Sequence, residues 1–402
     1  MSNGIFDSIK IGNVQLKNRL VRSATYEGAS DEYGFPQTRY LNIYKTLAKN
    51  NVGMIITGFA YISAIGRAMH KAQAGIDSYE KVEFYKSVTS EVHKYNCPII
   101  LQIAHTGRQT LKSVSGETPI SSSAIRSVYF REKPRPADES DIKDIIGQFV
   151  FAAQLAQEAG FDGVQIHAAH GYLLHQFLLP DTNKLKGNYG INKQTGLGTK
   201  LLEDVFDGIK AKCGNSFLIL IKISGGHDLS NSFPISKFEQ LIKFLNIKKF
   251  DAIEISYGTM DYALNIFRGD LNLETVFRYN PIFMTDSRLR KYFSELFVKY
   301  FLTPKLKVFT PAYNFCFAQR AKQLTDIPII SVGGFRSKDE IENAINSNYT
   351  DLVGLSRPFI CEPDFAVKLL HSSGNYSSQC KNCNECVFMC DSGMPTICYS
   401  KK

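Results

Sequence analysis

Short runs rich in Val and Ile recur along the chain: RLVRSA (19–24), VGMIITG (52–58), PIILQIA (98–104), GVQIHAA (163–169), FLILIKI (217–223), AIEISYG (252–258), IPIISVG (327–333) and DLVGLSR (351–357). Strands that are apolar almost without interruption suit a parallel sheet covered on both faces, because neither side of such a sheet meets water. The stretches between them carry a different period. In SDIKDIIGQFVFAAQLAQEAG, residues Ile142, Ile145, Ile146, Phe149, Phe151, Ala152 and Leu155 recur near helical spacing, between a Ser/Asp start and a Gly end. Eight strand-like runs alternating with helices predict an α/β fold, a (β/α)8 barrel of the TIM type.

Two segments fall outside this repeat. Residues 5–18, IFDSIKIGNVQLKN, alternate around Gly-Asn and predict a small hairpin that plugs the bottom of the barrel. The stretch from Gly258 to Ile327 is too long for one crossover helix, so inserted structure is expected over the active-site end. A chain of 402 residues is long for one domain, yet barrels of this class commonly exceed the average. The expected division is a barrel over residues 1–370 and a cysteine-rich C-terminal extension over 371–402.

Charge and composition narrow the function. The net charge of +9 is moderate for this length, and no run of five or more Lys/Arg occurs, so nucleic acid is not an expected partner. The basic balance suits phosphate-bearing small molecules. No run of about eighteen apolar residues predicts a membrane span, and the start MSNGIFDSIKIG lacks the charged head and apolar block of a signal peptide. A cytoplasmic protein with reduced thiols and no membrane partner is therefore expected. Of nine cysteines, Cys97, Cys213, Cys316 and Cys361 stand singly and read as small buried apolar residues. The other five, Cys380, Cys383, Cys386, Cys390 and Cys398, crowd into the last twenty-three residues, which calls for a metal or redox reading.

A parallel barrel carries its active site at the C-terminal ends of its strands. The unusual polar residues sit at those ends: Gln102 and His105 after the third run, His167 and His170 after the fourth, Lys222 in the fifth, Gly333 and Gly334 after the seventh, Arg357 after the eighth. The bare backbone of Gly333 and Gly334 can approach an anion and Arg357 can grip phosphate with two parallel donors, so the last two strand ends form a candidate phosphate site. The alternative is two tight turns beside a surface arginine. HxxH alone is equally compatible with histidines satisfied in a barrel rim.

The motifs KNRLVRSA, QIAHTGRQ, HAAHGYLLHQFLLPDTNKLKGNYG, SVGGFRS and DLVGLSRPFICEPD occur in the order and spacing of the old yellow enzyme family of FMN-dependent NAD(P)H:flavin oxidoreductases, which residues 5–370 resemble. The resemblance implies a barrel holding FMN noncovalently, NAD(P)H as co-substrate, and reduction of the C=C bond of α,β-unsaturated carbonyl compounds. It implies flavin contacts from Ala24, Thr25, Tyr26, Ala60, Gln102 and Lys222, with Gly333, Gly334, Ser356 and Arg357 around the phosphate. His167 and His170 would hydrogen-bond the substrate carbonyl and Tyr172 would donate the proton. Imidazole N–H groups can stabilise negative charge developing on oxygen, and a phenol can act as general acid at close range. His105 and Arg108 fit loop bracing better than catalysis, and His175 reads as structural.

Three positions depart from the family pattern. Lys222 stands where many relatives have arginine, keeping the charge but losing the fork geometry. Tyr26 replaces a frequent Thr or Cys, and Ser356 a frequent glycine. In the tail, Cys380, Cys383, Cys386 and Cys398 resemble the [4Fe-4S] segment that follows the barrel in trimethylamine dehydrogenase and bacterial 2,4-dienoyl-CoA reductase. A [4Fe-4S] cluster, a structural zinc and a metal-free thiol remnant all remain open for this segment. A cluster would imply a separate electron-transfer partner and a dienoyl-reductase or amine-dehydrogenase chemistry. Homo-oligomer formation is also left open, and a noncatalytic metal- or partner-binding barrel is the third reading.

Overall fold

A computed structural model describes residues 4–69 and 72–400. Its eight barrel strands are β1 (Leu20–Arg22), β2 (Met54–Ile56), β3 (Ile99–Ala104), β4 (Gly163–Ala168), β5 (Leu218–Ser224), β6 (Ala252–Ser256), β7 (Ile329–Val332) and β8 (Leu352–Leu355). Each pairs in parallel with the next, and β8 returns to β1, so the sheet closes. Seven lie wholly within the runs read from the sequence, and β5 ends one residue beyond its run, at Ser224. Around them run α1 (Thr38–Lys49), α2 (Val82–His93), α3 (Glu139–Glu158), α4 (Lys200–Cys213), α5 (Ile235–Lys248), α6 (Phe315–Lys322), α7 (Lys338–Asn346) and α8 (Phe365–His371). Helix α3 begins before the Ser140/Asp141 start expected from its period. Asp138 accepts from the Asp141 amide, and the Asp141 carboxylate accepts from the Asp138 amide, a reciprocal cap that fixes the earlier turn. The helix stops where Gly160 takes φ +81°.

Side chains alternate between the lumen and the helix layer, as strand geometry requires. In β4, Val164, Ile166 and Ala168 join the outer apolar layer, which leaves Gln165 and His167 facing inward. In β5 the inward residues are Leu218, Leu220, Lys222 and Ser224. Read up the barrel, the lumen is apolar at the bottom and polar at the top. The lower layer comprises Val21, Met54, Ile56, Ile100, Leu218, Leu220, Ala252, Ile330 and Leu352, and the hairpin Ile9–Ile11/Val14–Leu16 buries Ile11 and Leu16 against it. The hairpin is thus the expected bottom plug, turning through Gly12 at φ +52°.

The long segment after β6 contains the crossover helix α6 together with inserted helices Ala263–Phe267, Leu273–Tyr279 and Arg288–Phe297, followed by a π-turn over Val298–Leu302. The tail crosses the top of the barrel and forms a short helix, Glu385–Asp391. Glu385 anchors it to the insertion, accepting from Asn272 at 2.7 Å and Thr275 at 3.1 Å. The Thr396 amide donates to Glu27 O at 3.2 Å, tying the far end to the loop after β1. No helix among the described residues is long and apolar enough to cross a membrane.

Candidate active site

The top polar layer is one hydrogen-bonded chain. Strand register sets Gln102 beside Gln165 and Lys222 beside Glu254. Gln102 Nε2 donates to Gln165 Oε1 at 2.6 Å, and Gln165 Nε2 donates to Glu254 Oε2 at 2.7 Å. The other carboxylate oxygen of Glu254 accepts from the Ser23 hydroxyl and, at 3.2 Å, from Lys222 Nζ. Each of these side chains is buried. A charged pair removed from water survives only when its remaining polar positions are satisfied, and here five residues satisfy one another. Glu254, Gln165 and Ser23 escaped the sequence reading, although Gln165 and Glu254 stand at inward positions of runs that were already recognised as strands.

Above this layer, β4 ends and the chain turns through His170, which takes φ +60°. The turn presents three rings. The imidazoles of His167 and His170 lie 5.0 Å apart and nearly perpendicular, and the Tyr172 ring is 4.8 Å from His167. His170 is held twice: its amide donates to Ser224 Oγ at 3.1 Å, and Nε2 lies 2.8 Å from Ser256 Oγ. Phe59 packs 5.5 Å from Tyr172 and Tyr26 stands 6.1 Å from Phe59. Burial holds both histidines well below their ordinary value, with Lys222 adding to the effect on each. Both rings are therefore neutral at physiological pH and each carries one N–H. Burial pushes the Tyr172 phenol upward, helped by Cys390 and Asp391, so it keeps its proton.

Gly333 and Gly334 take φ +127° and +90°, a region that excludes other residues. A Cβ on Gly333 would stand 2.6 Å from Asn314 Nδ2, and one on Gly334 would stand 2.6 Å from the Ala312 amide nitrogen. Arg357 Nη1 donates to Arg268 O at 3.0 Å and Asn384 Oδ1 at 2.6 Å. Arg336, missed in the sequence although it lies inside SVGGFRS, donates through Nε to Asn382 Oδ1 at 3.0 Å and through Nη1 to Phe335 O at 2.7 Å. Burial lowers Arg336, and the neighbouring Arg357 charge lowers it further.

These features bound one cavity of about 680 Å³, lined by Ala24, Thr25, Tyr26, Gln102, His167, His170, Tyr172, Lys222, Gly333, Gly334, Ser356 and Arg357. Ala60 is the exception. It is buried in the outer core and pairs with Ile103, so its side chain faces the helices; the adjacent Phe59 lines the cavity in its place. His105 and Arg108 brace loops. His105 Nδ1 accepts from the Gly107 amide at 3.0 Å, and Arg108 pairs with Asp261 at 2.7 Å. His175 is buried and accepts from the Gly171 amide at 2.9 Å.

The cavity fits FMN by its own chemistry. The Arg357 charge acts against that of Arg336, and the hydrogen bonds that the two guanidiniums donate end on neutral oxygens, so a phosphate dianion beside Gly333 and Gly334 would find unspent positive charge there. Gln102 and Lys222 offer donors at the other end, where a flavin carries carbonyl oxygens and ring nitrogens. The tail is less decisive. Cys380, Cys383, Cys386 and Cys398 are free thiols, and among the described residues no group of three or more His, Cys, Asp or Glu stands in metal-holding geometry. Burial pushes Cys386 up to about 12, opposed by Arg357 and reinforced by Cys380, Cys383 and Cys398. The four thiols thus share one electrostatic neighbourhood without being gathered as ligands.

A parallel barrel whose cavity is lined by paired glycines, Arg336 and Arg357 at one end and His167, His170 and Tyr172 at the other suits a flavin-dependent oxidoreductase. The NADH:flavin oxidoreductase / NADH oxidase family matches residues 4–269 and 305–374, and the chain belongs to that family, whose cofactor is FMN. Among curated relatives, the NADPH dehydrogenase of Clostridium acetobutylicum is 28% identical over 90% of this chain and 93% of its own. The NADH oxidase of Thermoanaerobacter brockii is 25% identical over 94% of this chain but 52% of its own, so the chain spans about half the length of that relative. The solved old yellow enzyme homologue from Zymomonas mobilis shares the fold with a TM-score of 0.70 at 22% identity, covering 93% of this chain and 94% of that one.

Proposed function

We propose that this protein is an FMN-dependent NAD(P)H oxidoreductase that reduces the C=C bond of α,β-unsaturated carbonyl compounds. The observation that carries the reading is the convergence of His167, His170 and Tyr172 on one cavity wall, with ring centroids about 5 Å apart, above the buried Gln102–Gln165–Glu254–Lys222 chain. Bound FMN supplies the hydride chemistry between NAD(P)H and the alkene. Gln102 and Lys222 would hold the flavin ring, and Gly333, Gly334, Ser356, Arg357 and Arg336 its phosphate. The neutral imidazoles of His167 and His170 donate to the substrate carbonyl, stabilising the negative charge that develops there. Tyr172, which burial keeps protonated, would deliver a proton to the α carbon. Phe59 and Tyr26 supply apolar walls that exclude water.

The two half-reactions test this assignment. Replacing Tyr172 by Phe leaves reduction of the flavin by NAD(P)H unchanged and slows its reoxidation by an enone at least tenfold; equal loss in both would remove the tyrosine from its role. Replacing His167 and His170 together by Ala weakens binding of a simple phenol while FMN stays bound.

A second reading rests on the shared neighbourhood of Cys380, Cys383, Cys386 and Cys398. Under it the tail binds a [4Fe-4S] cluster that exchanges electrons with a separate protein, and the enzyme works as a dienoyl reductase or amine dehydrogenase. Iron analysis of anaerobically purified protein separates the two. About four irons per flavin supports the relay, whereas iron-free protein whose flavin bleaches directly with NAD(P)H supports the self-sufficient enzyme.

A further inference from the structure

The family match breaks between residues 269 and 305, and that interval carries a surface unlike the rest of the molecule. Helix Arg288–Phe297 has no buried residue. Leu289, Tyr292, Phe293, Phe297, Tyr300 and Phe301 are each more than half exposed, although aromatic side chains of this size normally find cover. At about 100° per residue, Leu289, Tyr292, Phe293, Leu296 and Phe297 share one face, and Arg288, Lys291 and Glu295 occupy the other. From Arg288 to Lys307 the chain carries Arg288, Arg290, Lys291, Lys299, Lys305 and Lys307 against Glu295 alone.

We propose that this insertion docks the protein on an anionic phospholipid surface, with the aromatic face entering the headgroup boundary and the basic residues meeting lipid phosphate. The charge decides between occupants. A second copy placed on the patch would set two strongly basic surfaces against each other, whereas an anionic bilayer complements both the apolar face and the cations flanking it. Lying on a bilayer requires no spanning helix, so the expectation of no membrane partner, drawn from the lack of a span, does not bear on it. Phe293, Phe297 and Val298 also line the cavity, so docking would set its mouth at the lipid surface.

The test is cosedimentation of the full-length protein with vesicles of phosphatidylcholine alone or mixed equally with phosphatidylglycerol, at low and high salt. The expected result is binding to the mixed vesicles only, weakened at least fivefold by high salt. Two variants away from the cavity lining should each reduce binding to the same degree: Leu289→Ser/Tyr300→Ser/Phe301→Ser and Arg288→Glu/Arg290→Glu/Lys291→Glu. Unchanged flavin absorbance and thermal unfolding would confirm that both remain folded. Equal binding to both vesicle types, or no binding by the wild type, overturns the proposal. So does a wild-type dimer in sedimentation equilibrium that the Leu289/Tyr300/Phe301 variant dissociates, since a second copy would then own the patch.

Discussion

Lys222 Nζ stands 3.2 Å from Glu254 Oε1 inside the barrel, and both side chains are buried. Removing one member leaves the other as an uncompensated charge in a dry layer, a loss that costs about 3–5 kcal/mol. Glu254→Ala is therefore expected to lower unfolding free energy by that amount in urea titrations of flavin-free protein. The double variant Glu254→Leu/Lys222→Met should lose much less than the sum of the two single changes. Strict additivity would show that the pair is not coupled.

Neutral imidazoles make a different expectation. Burial and the Lys222 charge hold His167 and His170 well below their ordinary value, so neither should gain a proton as pH falls from 8 to 5.5. A simple phenol, itself neutral across that range, should bind the oxidised enzyme with affinity constant to within about twofold. Titration of the flavin absorbance at each pH measures it. A tenfold change centred near pH 6.5 would mean that at least one ring titrates normally and that its environment is wetter than the packing indicates.

The tail introduces a carboxyl group with the opposite habit. Asp391 lines the cavity, where the Tyr129 hydroxyl donates to it at 3.2 Å, and burial pushes it up to about 7 from its usual 3.8. The folded protein therefore keeps a proton that the unfolded chain releases once pH exceeds about 4. Its contribution to stability is fully present below that point and is lost as pH rises toward 7, by about 4 kcal/mol at most. Asp391→Asn cannot follow this titration. The difference in melting temperature, variant minus wild type, should become more positive between pH 4.5 and 7.5 and then level off. A difference that falls over that window would contradict the assigned shift.

The barrel was legible because strands covered on both faces are apolar almost without interruption: eight such runs alternating with helix-period segments are recognised from local sequence alone, with no partner information. The His167, His170 and Tyr172 cluster was legible for the same reason, since the end of one strand puts all three within six residues. Glu254 and Gln165 were not singled out, because their importance lies in a register between strands far apart in sequence. Ala60 stands one residue from the cavity-lining Phe59, and in a strand one residue reverses the side chain from lumen to helix layer. Arg336 was overlooked because its partners, Arg357 and Asn382, arrive from β8 and the tail. The exposure of the aromatic insertion could not be read at all, since an amphipathic helix looks the same in sequence whether or not something covers it.

Arg336 and Arg357 allow the phosphate cradle to be tested without turnover. Their like charges raise the energy of the flavin-free site, and a phosphate dianion between them reverses that sign. Arg336→Gln keeps a donor for Asn382 and removes one charge. It is expected to weaken FMN binding by ten- to a hundredfold, in line with loss of one charge-assisted contact. The melting temperature of flavin-free protein should meanwhile stay level or rise, because a repulsion has been relieved. Fluorescence titration with FMN and thermal unfolding of the stripped protein give the two readings separately. If the variant loses stability without FMN and keeps its affinity, Arg336 serves only to pin Asn382 and the tail. A cradle role instead requires that affinity fall while the flavin-free fold is undamaged, a combination that simple misfolding cannot produce.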